Sequence, residues 1–138
     1  MKKYELIDHT ADLGLEIYGK DLKELFENAG EALFEIICDL SQVAESMKKR
    51  VVVDGEDLEQ LMVTWLGELL YLHDVEGSLF KRFEIEEIGS KSLKATVYGE
   101  KFKEGHHTIK TEIKAVTYHQ IQVREEEDRW TSRVILDL

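Results

Sequence analysis

Proline does not occur in this chain of 138 residues, cysteine and asparagine occur once each, and basic residues are outnumbered. The lone thiol, Cys38, excludes an internal disulfide, so the fold must be held by its core. With one asparagine and 34% charged residues, the composition would suit a heat-adapted source. No uninterrupted apolar run approaches the ~20 residues of a membrane-spanning helix. The stretch from Met1 to Asp8 has two lysines but no apolar segment after them, unlike a secretory signal, so the expected compartment is the cytoplasm. Positive charge is scarce: 18 Lys and Arg against 29 Asp and Glu leave a net charge of −11. Non-specific affinity for nucleic acid comes from Lys and Arg displacing counterions, so no strong direct nucleic-acid binding is expected. The best basic run, Lys48-Lys49-Arg50, reads as a solvated strand edge.

What is present describes one globular domain, residues 1–138, with 43% hydrophobic residues and no linker or repeat. A chain this long buries roughly two thirds of its unfolded surface in a single core. Leu22, Leu25, Phe26, Ala29, Leu33, Ile36, Ile37 and Leu40 keep helical spacing behind Asp21 and Glu24, which predicts a helix over 21–39 opened by a capping box. A second such stripe, from Leu58 through Trp65 to Leu72, follows Asp57 and Gln60 and precedes Gly77. It predicts a helix over 57–74. Alternating and β-branched residues predict strands at 4–8, 14–18, 51–53, 83–88, 92–98, 109–123 with a break, and 130–136. Turn sequences such as Gly89-Ser90-Lys91 and Glu125-Glu126-Glu127-Asp128 make the neighbours antiparallel. The expected fold is α+β, two helices on one face of a largely antiparallel sheet.

Carboxylates gather near both ends. Asp8-His9-Thr10-Ala11-Asp12 places two aspartates four residues apart before a Leu13-Gly14 connection, and Ile135-Leu136-Asp137-Leu138 closes the sequence with Asp137 and an α-carboxylate. Hard cations such as Ca²⁺ and Mg²⁺ take carboxylate and carbonyl oxygens from separate segments, so convergence of the two ends would make a site. Two plainer readings stay open: the aspartates accept turn N–H groups, and the end of the chain frays in solvent. If Val134 and Leu136 are buried, alternation puts Ile135 and Asp137 on the opposite face.

Five stretches carry a family resemblance: Asp8-His9-Thr10-Ala11-Asp12 with Gly14, Leu25-Phe26-Glu27 with Ala32-Leu33-Phe34, Trp65-Leu66-Gly67-Glu68-Leu69-Leu70, Ile113-Lys114-Ala115-Val116-Thr117-Tyr118-His119, and Leu136-Asp137-Leu138. In this order and spacing the chain resembles the archease family over essentially its whole length. It departs at Leu138, where the family often has Ile, a change of little consequence if the main-chain carboxylate is the ligand. The resemblance implies a small acidic protein that binds a divalent metal ion, Ca²⁺ in the first instance, and has no catalysis of its own. It further implies that the protein activates an RtcB-class tRNA-splicing ligase by promoting guanylylation of a ligase histidine, which permits multiple turnover. The metal-ligand role carries to Asp12, Asp137 and Leu138, with Asp8 as an additional carboxylate.

Other residues admit rival readings. Histidines 9, 106, 107 and 119 with Asp8 or Asp12 are the makings of a metal-dependent hydrolase, although no helical ligand spacing is present. His106 and His107 are expected in solvent on a loop led by Gly105. His9 is either an outer partner to a metal-bound carboxylate or a turn contact, and His119 either lines the site or is an ordinary strand residue. Lys114 is either an outward strand lysine or a contact to the ligase or a phosphate. Cys38 and Trp65 are expected to pack in the core. A third class, a chaperone-like binding protein, requires a sizeable exposed apolar patch.

Overall fold

The structure is a computed structural model that describes residues 2–9 and 12–138. Thr10 and Ala11 lie outside the described residues, as do the roles expected for the side chains of Asp8 and His9.

Two helices form where the apolar stripes place them. In α1 (Leu22–Ile37) the Asp21 side chain accepts the Glu24 N–H at 2.8 Å, and Glu24 Oε1 accepts the Lys20 N–H at 3.1 Å. The same reciprocal device opens α2 (Leu58–Glu76): Asp57 accepts the Gln60 N–H at 2.8 Å, and Gln60 accepts the Glu56 N–H at 2.7 Å. These bonds satisfy donors that the first helical turn leaves without intrahelical partners. Gly77 ends α2 with φ 68°, and its N–H donates to His73 O at 3.0 Å. Only glycine enters that left-handed conformation without a Cβ penalty.

The strands are β1 (Tyr4–His9), β2 (Asp12–Gly19), β3 (Met47–Asp54), β4 (Ser78–Ile88), β5 (Ser92–Lys101), β6 (Ala115–Val116), β7 (Gln122–Glu125) and β8 (Trp130–Asp137). They make two antiparallel sheets, not the single sheet expected from sequence. One runs β1-β2-β8-β6 with β7 also on β8, and the other runs β3-β5-β4. Each helix contacts strands of both sheets, so the two helices are the shared filling.

Phe34 meets Phe80 edge-on at 5.5 Å and stacks near Phe83 at 5.9 Å, while Trp65 meets Phe83 at 6.5 Å. The Trp65 indole N–H donates to Phe26 O at 2.9 Å. That bond is what allows so large a polar-tipped ring to be wholly buried.

The expected strand over 109–123 is the main departure. Ile109 makes one bridge to Cys38, the Lys110 N–H donates to Ile37 O at 2.7 Å, and regular pairing is confined to β6 and β7. The segment is extended as its β-branched residues prefer, but the donors of Lys110 and Thr111 reach the end of α1 rather than a neighbouring ladder. Ile113 is buried and anchors the run to the core.

Candidate metal centre

The antiparallel register of β2 and β8 puts Asp12 directly opposite Asp137. On either side, His9 pairs with Asp12 and Ala115 pairs with Asp137, so these four residues form one row across β1, β2, β8 and β6. Directly opposed residues of an antiparallel pair point to the same sheet face, with Cβ atoms ~4.5–5.5 Å apart. The adjacent row, Leu13, Leu136 and Val116, turns to the core side. Asp12 and Asp137 therefore share the outward face, both half-buried, and Leu138 follows at 39% exposure. Residues near the two ends of the sequence thus meet in one register.

A short clamp holds this row from the β6 side. The Lys114 N–H donates to Asp137 O at 2.8 Å, and the Thr117 N–H donates to Ile135 O at 3.1 Å. The Thr117 hydroxyl donates to the same Ile135 oxygen at 2.9 Å and accepts the His119 N–H at 3.2 Å.

Ile135 shares the face of Asp137, as alternation requires, yet only 3% of it is exposed. The turn after β6 covers it: Gln120, at φ 55°, lines a cavity of about 70 Å³ with Ile135, Ile7, Gly14, Leu15 and Arg133. A Cβ on Gly14 would come within 3.1 Å of Ile7 O, a tight contact in the β1–β2 pair beside the carboxylate row. Further along this face, Arg133 and Glu16 pair at 2.6 Å.

The Archease protein family model matches residues 4–138. The chain belongs to the archease family. It is 43% identical to protein archease of Methanosarcina acetivorans over 141 residues, covering 99% of this chain and 97% of that protein. Against protein archease of Methanothermobacter thermautotrophicus the identity is again 43% over 141 residues, with all of both chains covered. Among solved structures, Methanobacterium thermoautotrophicum protein 1598 superposes with a TM-score of 0.86 at 43% identity over the whole of both chains. An archease of Thermotoga maritima, described as a possible chaperone, gives a TM-score of 0.67 at 29% identity and covers 96% of this chain and 94% of its own.

The remaining archease-family residues singled out from sequence disperse. Lys114 is exposed, and its side chain lines an open cleft of about 480 Å³ with Asp74, Glu112, Ile113 and Leu138. His119 lies exposed beyond Thr117. The Cys38 thiol is buried against Phe34 O, and burial pushes its pKa up to about 11, far from a nucleophile's range. Lys49 and Arg50 of the basic run pair with Glu76 and Glu86.

His107 corrects the sequence expectation of a solvent-exposed pair: His106 is exposed, but His107 is buried. Its Nδ1 accepts the Lys103 N–H at 2.9 Å, which leaves the ring proton on Nε2, 2.9 Å from Glu100 Oε2. Glu100 also accepts the Ala44 N–H at 2.8 Å. That backbone donor and His107 hold the carboxyl down at about 2. Among the described residues, Glu100, His106 and His107 bring their ligand atoms within 4.8 Å of one another. In this arrangement the His107 nitrogen facing that centre donates to Glu100, so the contact acts as a structural latch. Nothing local in the sequence separates His107 from His106, because the partner that decides it lies seven residues back.

Proposed function

We propose that this archease-family protein is a metal-binding accessory, without catalysis of its own, that activates an RtcB-class tRNA-splicing ligase by promoting its guanylylation. The observation that carries the reading is the register of Asp12 against Asp137. Two carboxylates on one face, next to the α-carboxylate expected at Leu138, form an all-oxygen donor set of the kind that suits a hard divalent ion such as Ca²⁺. Asp12, Asp137 and Leu138 would hold the ion. When bound, it would offset the repulsion of these anions and accept further oxygen ligands from a partner or nucleotide.

Asp12 and Asp137, held between β1 and β6 with exposed Leu138 next in the chain, lie on the face turned away from the core. The net charge of −11 favours encounter with a basic ligase surface over direct contact with RNA. In this reading the metal-loaded end enters the ligase's nucleotide-site region and organises nucleotide or metal there for guanylyl transfer.

The test is covalent GMP incorporation into the ligase, with and without this protein. Wild-type protein should raise it, whereas Asp12→Ala and Asp137→Ala should each abolish most of the stimulation while keeping a cooperative thermal transition. Undiminished stimulation by either folded variant would reject its proposed role.

A further inference from the structure

We infer that Thr117 is a positioning residue for the carboxylate row, acting through Ile135 on Asp137; this rests on the metal-binding reading proposed above. Ile135 and Asp137 are alternate residues of β8, so fixing both of their carbonyl groups fixes the peptide units between them and with these the direction of the Asp137 side chain. The Asp137 carbonyl is held by the Lys114 N–H at 2.8 Å. The Ile135 carbonyl is held twice by Thr117, through N–H at 3.1 Å and through the hydroxyl at 2.9 Å.

The clamp matters because of where it sits. β8 runs out at Asp137, and the final residues of a strand fray unless tied on both sides. β2 ties one side over eight consecutive pairs, whereas β6 is two residues long and offers pairs only at Asp137 and Leu136. So short a strand cannot hold its register by ladder bonds alone. Thr117 extends its grip by one residue, and its hydroxyl also takes the His119 N–H at 3.2 Å, closing the turn that follows. A residue with a hydroxyl is therefore required here: the oxygen donates to one strand while accepting from its own turn.

Thr117→Val keeps the shape and removes the hydroxyl, and Thr117→Ser restores it, so the pair separates hydrogen bonding from packing. Ca²⁺ titration by calorimetry should show Thr117→Val binding about tenfold more weakly than wild type, equivalent to ~1.4 kcal/mol. Thr117→Ser should stay within about twofold of wild type. A second readout needs no metal: in the ion-free protein, exchange of the Lys114 amide, which donates to Asp137, should speed up several-fold in Thr117→Val and not in Thr117→Ser.

Asp137→Asn is the reference for loss of the site. If Asp137→Asn loses affinity while Thr117→Val binds like wild type, or if the Lys114 amide stays equally protected in Thr117→Val, the positioning role is overturned. Wild type failing to bind Ca²⁺, or Asp137→Asn binding as well as wild type, overturns the metal reading and with it this inference; that outcome is recognised before any Thr117 variant is measured.

Discussion

The Glu100 carboxylate shows how hydrogen-bond donors from separate segments keep one buried charge ionised. It takes the Ala44 N–H and the His107 Nε2–H, both within 3 Å, and Lys103 stands 3.6 Å away. These contacts favour the ionised form, so the carboxyl is held at about 2 where the ordinary value is 4.5. A carboxyl depressed on folding contributes stability that is complete above its unfolded value and declines as pH falls from about 4.5 toward about 2. Thermal unfolding followed from pH 7 to pH 2.5 should therefore show a loss on this window that Glu100→Gln shares only weakly, with Glu100→Gln already less stable at pH 7. A pH dependence in Glu100→Gln equal to wild type would show that other carboxyls set the acid limit. Residues of this sort were invisible in the sequence, since Glu100, Ala44 and His107 come from three segments with no shared period. The clustering of Asp12 and Asp137 near the two ends was visible in the sequence, but Asp12 was placed in the turn before a strand starting at Gly14, whereas β2 begins at Asp12 itself and sets it opposite Asp137. Alternation also gave the face of Ile135, but not its burial, because it does not state whether a later turn covers a residue.

Both helices were readable nearly to the residue, and for a reason with measurable consequences. Asp57 closes the start of α2 with a side-chain bond and Gly77 closes its end with a left-handed backbone, signals that are local in sequence. Asp57→Ala should cost ~1 kcal/mol of stability, the usual value of a lost N-cap. Gly77→Ala should cost a comparable ~1 kcal/mol from backbone conformation alone, because a Cβ at Gly77 would meet nothing within 4 Å. Denaturant midpoints measured for both variants check this; a Gly77→Ala variant as stable as wild type would contradict the αL cap. The strands were less legible. β3 and β4 begin four and five residues before the positions predicted for them, at Met47 and Ser78. The separation into two sheets depends on which strands pair at long range, which alternation does not encode. The strand predicted over 109–123 with a break is realised only as β6 and the start of β7, because β propensity describes extension, and the stretch at 110–111 sends its N–H groups to Ile37 at the end of α1 rather than to a ladder.

Over the molecule as a whole, charge and topology act together. Antiparallel pairing of β2 with β8 brings carboxylates from both ends of the sequence to one row on a protein carrying a net −11. In the proposed reading a divalent ion meets this row and the ligase supplies a basic surface. Attraction between an acidic protein and a basic surface is screened as salt rises, the Debye length shrinking from ~10 Å at 0.1 M to ~3 Å at 1 M. Encounter rates driven by such attraction fall with it, whereas a bound complex held by short contacts is affected less. The concentration of this protein giving half-maximal stimulation of ligase guanylylation should therefore rise several-fold between 0.05 and 0.5 M NaCl, with the plateau recovered at high protein concentration. The ligase's unstimulated reaction measured in the same salts corrects for effects on the ligase itself. A half-maximal concentration that does not move with salt would mean that the acidic surface takes no part in docking, and the contact would then have to be sought among the exposed apolar side chains, such as Tyr71 and Val75 on α2.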